Sequence, residues 1–129
     1  MLQRTVLVVD DSRTIAAILR EALEGEGYRV RCVCSGEEAL AHLEAETPDL
    51  IILDVLMPKM SGLEVLARIK AAPKTAPIHV IMLTASGRHE DILQGYKLGA
   101  EYYITKPFKQ TELLHGIQLV LGQPKQTAA

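Results

Sequence analysis

Short apolar runs alternate with longer runs of helical spacing along almost the whole chain. Residues 5–10 (TVLVVD) are nearly all apolar and read as a strand. Residues 13–25 carry Ile15, Ile18, Leu19, Ala22 and Leu23 at helical spacing, with Gly25 and Gly27 as stops. Residues 28–34 (YRVRCVC) alternate, which predicts a strand with one solvated face and suits a sheet edge. Ser35 starts a helix over 36–46 that turns Ala39, Leu40 and Leu43 inward, and Glu38 three residues on matches a capping box. DLIILD, ending at Asp54, is a continuous apolar strand of the kind buried on both faces.

The second half repeats the alternation. MPKMSG is loop, and 63–71 is a helix with Leu63, Leu66, Ala67 and Lys70 spaced along it, ended by Pro73 and Pro77. Residues 78–83 form a fourth strand and 88–98 a fourth helix, whose Gly95 costs about 1 kcal/mol relative to Ala and points to a loosely held element. EYYIT (101–105) is a short strand and 109–121 the last helix, stopped by Gly122 and Pro124. Parallel strands need helical crossovers of one hand. The pattern therefore predicts a three-layer α/β sandwich over residues 1–122, with 123–129 as a flexible tail.

Composition narrows the function classes. With 129 residues, 48 % hydrophobic and a net charge of −2, the chain fits one globular domain and is not a disordered segment. Its 14 basic and 16 acidic residues make no one-signed field, which argues against nucleic acid or an anionic membrane as partner. No apolar run approaches the ~20 residues of a membrane span, and the start lacks a secretory cleavage signal. Cys32 and Cys34 lie two apart on one strand, roughly 6.5 Å from each other, where a disulfide would be strained. A cytoplasmic location is expected. A C-x-C metal site would lack further ligands nearby, and His42, His79, His89 and His115 show no ligand spacing.

The chemistry is read where strands end, because ligands of open α/β sheets bind beyond the carboxyl edge. Strand one ends in Asp10 and Asp11, strand three in Asp54, strand four in Leu83 followed by Thr84, and strand five in Thr105 followed by Lys106 and Pro107. Each has a plain reading taken alone. Asp10 and Asp11 are good helix caps, Asp54 a turn starter, Thr84 a helix-start signal and Lys106 a solvated loop charge. Taken together they put three carboxylates, a hydroxyl and an ammonium on one edge. Carboxylates so close bind a proton or a cation, and oxygen-only ligands favour a hard ion such as Mg²⁺. These are the parts needed to take up a phosphoryl group.

VLVVDDS (6–12), LIILDVLMPKMSGLEVL (50–66), VIMLTAS (80–86) and GAEYYITKPF (99–108) closely resemble the receiver domain of two-component response regulators. The resemblance covers roughly residues 4–121. It implies a flavodoxin-like sheet of order 2-1-3-4-5 and a phosphorylation-operated signalling switch that is not otherwise an enzyme. It implies that Asp54 accepts a phosphoryl group from a histidine kinase or phosphotransfer protein. It assigns Mg²⁺ to Asp11, Asp54 and the carbonyl of Leu56, with Asp10 acting through water, and contacts with the phosphoryl group to Thr84 and Lys106. It implies a cis Lys106–Pro107 bond and a switch in which Thr84 and Tyr103 move together. The face of the fourth helix, fifth strand and fifth helix then changes partner, an output protein or domain, or a second copy in a dimer. Tyr102 and Tyr103 are adjacent and must point to opposite faces.

Leu56 and Ser86 fall on the family's path for hydrolytic water. Leu56 cannot orient water and Ser86 is short, so slow loss of the phosphoryl group is expected. Gly62 is read either as a turn glycine or as an ordinary loop residue. Three other readings are weighed. An aspartyl-phosphate phosphatase would need an acid two residues after its nucleophile, where Leu56 stands. A phosphorylation-independent interaction module would not need the acidic set. A flavin or nucleotide carrier would need a phosphate loop where DDSRT stands.

Overall fold

Each apolar run becomes a strand and each helical period a helix. The structure, a computed structural model, describes residues 3–85 and 89–122, without the side chains of 89–91. In chain order the elements are β1 (Thr5–Val9), α1 (Arg13–Gly25), β2 (Arg29–Val33), α2 (Gly36–Ala45), β3 (Leu50–Asp54), α3 (Gly62–Ala71), β4 (His79–Thr84), α4 (His89–Leu98), β5 (Tyr102–Thr105) and α5 (Gln110–Leu121). The strands pair in parallel in the order β2-β1-β3-β4-β5. Both the sandwich and its strand order are those expected. The tail 123–129 lies outside the described residues.

Alternation along the strands divides the core in two. Leu7, Val9, Ile51, Leu53, Val80 and Met82 pack with Ala39 and Leu43 of α2 and Val65, Leu66 and Ile69 of α3. Val6, Val8, Leu50, Ile52, Ile81 and Leu83 pack with Leu19 and Leu23 of α1 and Leu113 and Ile117 of α5. Every residue of β3 is buried, as its apolar run requires. Each large side chain so enclosed contributes roughly 1.5–3 kcal/mol by burial. On the edge strand β2, Val30 is buried while Arg29 and Arg31 are exposed. Tyr102 and Tyr103 join opposite cores, as adjacent strand residues must.

Ser12, Ser35 and Ser61 start α1, α2 and α3. Their hydroxyls accept the backbone N–H of Ile15, Glu38 and Glu64 at 3.3, 3.1 and 3.2 Å. Such caps contribute about 1 kcal/mol each. The reciprocal half of the expected box at 35–38 is displaced by one residue: the Glu38 carboxylate accepts the N–H of Cys34 at 3.1 Å.

Several expectations about faces are corrected. Ile18 is 49 % exposed, because α1 turns only Leu19 and Leu23 fully toward the sheet. The buried face of α3 is Gly62, Val65, Leu66 and Ile69. Lys70 is half-buried, and its ammonium donates to the carbonyls of Ala76 and Ile78 at 2.9 and 2.6 Å. Burial pushes that ammonium's pKa down from its ordinary value. Gly95 is buried with the ring of Tyr103 against it, so its small size serves packing. Cys32 and Cys34 are free thiols. The Cys34 thiol lies 3.5 Å from the Glu38 carboxylate, whose hydrogen bond raises the thiol's pKa.

Candidate functional site

The site grows from the carboxyl ends of β1, β3, β4 and β5. The Asp10 N–H bonds to the Val33 carbonyl at 3.2 Å, which extends the β1–β2 ladder to the sheet edge. Asp10 and Asp54 are 2 % and 3 % exposed, whereas Asp11 is exposed. One carboxylate oxygen from each of Asp10, Asp11 and Asp54 lies within 4.8 Å of the others, the one such group of potential ligands among the described residues. Helix capping does not account for Asp10, since Ser12 caps α1. Asp10 Oδ1 instead accepts the N–H of Ser12 at 2.9 Å.

Lys106 leans into the carboxylates. Its Nζ lies 3.0 Å from Asp10 Oδ2 and 3.4 Å from Asp54 Oδ1, and its side chain is only 16 % exposed. It is no solvated loop charge. A backbone bond from the Lys106 N–H to the Thr84 carbonyl, 2.8 Å, pins the start of its loop to the end of β4. The Lys106–Pro107 peptide is cis, as expected. Thr84 is fully buried at the end of β4. Ser86 lies outside the described residues.

The electrostatics follow from this crowding. Burial first, and repulsion from Asp10 second, raise the Asp54 pKa from 3.8 to about 6, against the pull of Lys106 and a hydrogen bond from the Leu56 N–H. That bond from the residue two positions on is the turn-starting role Asp54 was also expected to suit. Asp10 Oδ2 is buried and accepts no hydrogen bond, although the ammonium of Lys106 is close. Three carboxylates and one ammonium give the cluster a formal charge of −2. An all-oxygen donor set whose negative charge exceeds what the Lys106 ammonium offsets fits a hard divalent cation.

Gly62 carries a role that sequence reasoning misassigned. Gly62 begins α3 in ordinary helical backbone and is not among the positive-φ glycines. A Cβ there would meet the Asp54 carbonyl oxygen below van der Waals distance and the Asp54 carbonyl carbon at 2.8 Å. Its N–H also donates to the Val55 carbonyl at 2.8 Å. Gly62 thus lets α3 seat directly on the backbone of Asp54, a close approach rather than a turn conformation. In the loop between them, Lys59 takes φ +67 without being glycine. The adjacent Leu56 side chain is 56 % exposed.

Residues 6–118 match the family model for the response regulator receiver domain. The phosphate regulon transcriptional regulatory protein PhoB of Rhizobium meliloti is 37 % identical over 120 residues, 93 % of this chain and 53 % of the relative. The chain spans about half the length of the curated relatives it matches. Among solved structures, the chemotaxis response regulator CheY4 of Vibrio cholerae superposes with a TM-score of 0.88 at 34 % identity, covering 93 % of this chain and all of that one. The receiver domain of a sensor histidine kinase from Pseudomonas aeruginosa PAO1 has a TM-score of 0.86 at 28 % identity, covering 95 % of this chain and all of that one. It was solved with a magnesium ion coordinated in its active-site cleft. With the acidic cluster, the sheet order and the family match in agreement, this chain belongs to the response regulator receiver domain family.

Proposed function

We propose that the chain is a phosphorylation-operated switch with Asp54 as phosphoacceptor. The observation that carries this reading is the buried Asp54 carboxylate, 3.4 Å from the Lys106 ammonium and grouped with Asp10 and Asp11. In the transfer, an Asp54 oxygen attacks phosphorus. The P–O bond forms as the P–N bond to a phosphohistidine donor breaks, and the histidine nitrogen leaves with the electron pair. Asp10, Asp11, Asp54 and the Leu56 carbonyl would hold Mg²⁺, Asp10 through water. When bound, that ion supplies positive charge to the phosphoryl oxygens. Lys106, already between Asp10 and Asp54, swings its ammonium onto a phosphoryl oxygen, and the Thr84 hydroxyl donates to another.

The donor is a histidine kinase or phosphotransfer protein. The response is a change in the face formed by α4, β5 and α5, where Leu93, Tyr96 and Leu119 stand exposed for an output partner or a second copy. The phosphatase reading is weaker, because the residue two past Asp54 is the exposed Leu56, which supplies no acid. Incubation with Mg²⁺ and acetyl phosphate, followed by mass spectrometry of the intact chain, tests the proposal. One hydroxylamine-labile phosphoryl group is expected on the wild type and none on Asp54→Ala. Equal modification of both proteins would overturn Asp54 as the acceptor, and modification of neither would leave the phosphorylation-independent interaction module as the better reading.

A further inference from the structure

Tyr103 lies against α4 at one particular place. An ideal Cβ built on Gly95 would overlap the Tyr103 hydroxyl oxygen and stand 2.6 Å from Cε1 and 2.8 Å from Cζ of the ring. The neighbouring Tyr96 ring has its centroid 5.4 Å from that of Tyr103, tilted by 47°. Gly95 is therefore a notch in α4 that receives the hydroxyl end of the ring, with Tyr96 forming its wall. Glycine is a poorer helix former than alanine, so its place inside α4 calls for a packing reason, and the ring supplies one.

The geometry also says which motion the notch controls. Cζ and the hydroxyl oxygen lie on the axis of the Cβ–Cγ bond, so flipping the ring about that bond moves neither atom. A side chain at 95 is cleared only by rotation about Cα–Cβ, which swings the whole ring, or by withdrawal of α4. We propose that Gly95 is a positioning residue of the switch: by leaving a notch for the Tyr103 hydroxyl it sets the balance between the two placements of that ring. This rests on the reading of Tyr103 as part of the phosphorylation switch. Any ligand of Asp54 that favours one ring placement must bind with altered affinity when the other is closed off, because the two equilibria are linked.

The test is a double-mutant cycle with beryllofluoride and Mg²⁺ as the ligand. Ring placement is followed by NMR of ¹³C-labelled tyrosine in the full chain. In the wild type the Tyr103 signals shift on adding beryllofluoride. Gly95→Ala displaces those signals before any ligand is added and changes the beryllofluoride Kd at least threefold, the sign telling which placement the ligand selects. In a Tyr103→Ala background the same Gly95→Ala change leaves the Kd within 1.5-fold and raises the melting temperature by a few degrees, as the better helix former should. A Kd unchanged by Gly95→Ala in the wild type, or a shift of the same size with Tyr103 removed, overturns the proposal while leaving the switch reading intact. A wild type that binds beryllofluoride with no response at Tyr103 overturns the switch reading itself, and the role of Gly95 with it.

Discussion

Asp54 combines burial with a like-charged neighbour, and both act against its ionised form. Its pKa of about 6 in the folded chain exceeds the ordinary 3.8. Between those values the folded state holds a proton that the unfolded state has released. The contribution is thus fully present below pH 3.8 and lost as pH rises through 6. Without divalent cation, the melting temperature difference between Asp54→Asn and wild type should grow in favour of the mutant from pH 4 to pH 7. The gain expected from a shift of that size is roughly 2–3 kcal/mol. A difference that stays flat across that range would contradict the assigned shift. Beside it, the exposed Leu56 offers nothing to orient a hydrolytic water. On the proposed mechanism Leu56→Asn shortens the half-life of the phosphorylated chain about tenfold, followed by loss of the phosphoryl group after donor removal. An unchanged half-life would remove Leu56 from the path of that water.

At the scale of elements, the site depends on how closely α3 meets β3. Gly62 permits a helix start in contact with the Asp54 carbonyl, and its N–H reaches the Val55 carbonyl at 2.8 Å. In Gly62→Ala a methyl group must displace backbone rather than a flexible side-chain tip. The expected cost is about 2–3 kcal/mol by urea unfolding, together with slower phosphorylation because the Asp54 carboxylate moves off its register. Wild-type stability in that variant would mean α3 can step back freely. The far end of α3 is fastened differently. Lys70 ties the carbonyls of Ala76 and Ile78 to the helix, and the Thr75 hydroxyl donates to the Ile69 carbonyl at 2.6 Å. Helix α3 is therefore tied at its start to the backbone after β3 and at its end to the segment that leads into β4.

Across the whole molecule, the average charge conceals the local one. A net charge of −2 over 129 residues is unremarkable, yet the Asp10, Asp11, Asp54 and Lys106 set alone also sums to −2. Folding concentrates that charge at one sheet edge, so the fold is stabilised by whatever cation the site accepts. On the proposed assignment, Mg²⁺ at a hundred times its Kd raises stability by about 2.7 kcal/mol at pH 7. Thermal melts at increasing Mg²⁺ should show this rise in the wild type and lose most of it in Asp11→Asn. An equal rise in both would mean the ion acts elsewhere.

Much was legible without coordinates because strands and helices bury faces, and faces have periods. Apolar runs at 5–10, 49–54 and 78–83 placed the central strands, and the residues ending them placed Asp10, Asp54 and Thr84 on one edge, since parallel strands all finish on the same side. The family resemblance added the strand order and the cis bond at Lys106–Pro107, and the roles proposed for the site residues. What periodicity could not assign was set by distances between segments remote in sequence. Gly62 is small because α3 touches the Asp54 backbone, and Gly95 because the Tyr103 ring crosses α4 there. Ile18 faces outward because the sheet takes only Leu19 and Leu23. Lys106 pairs with Asp10 rather than solvent because its loop is pinned to Thr84. Local order by itself determined which residues reach the site. Tertiary packing alone decided how close they come, because steric contact and the raised pKa of Asp54 depend on ångströms of separation that no sequence spacing encodes.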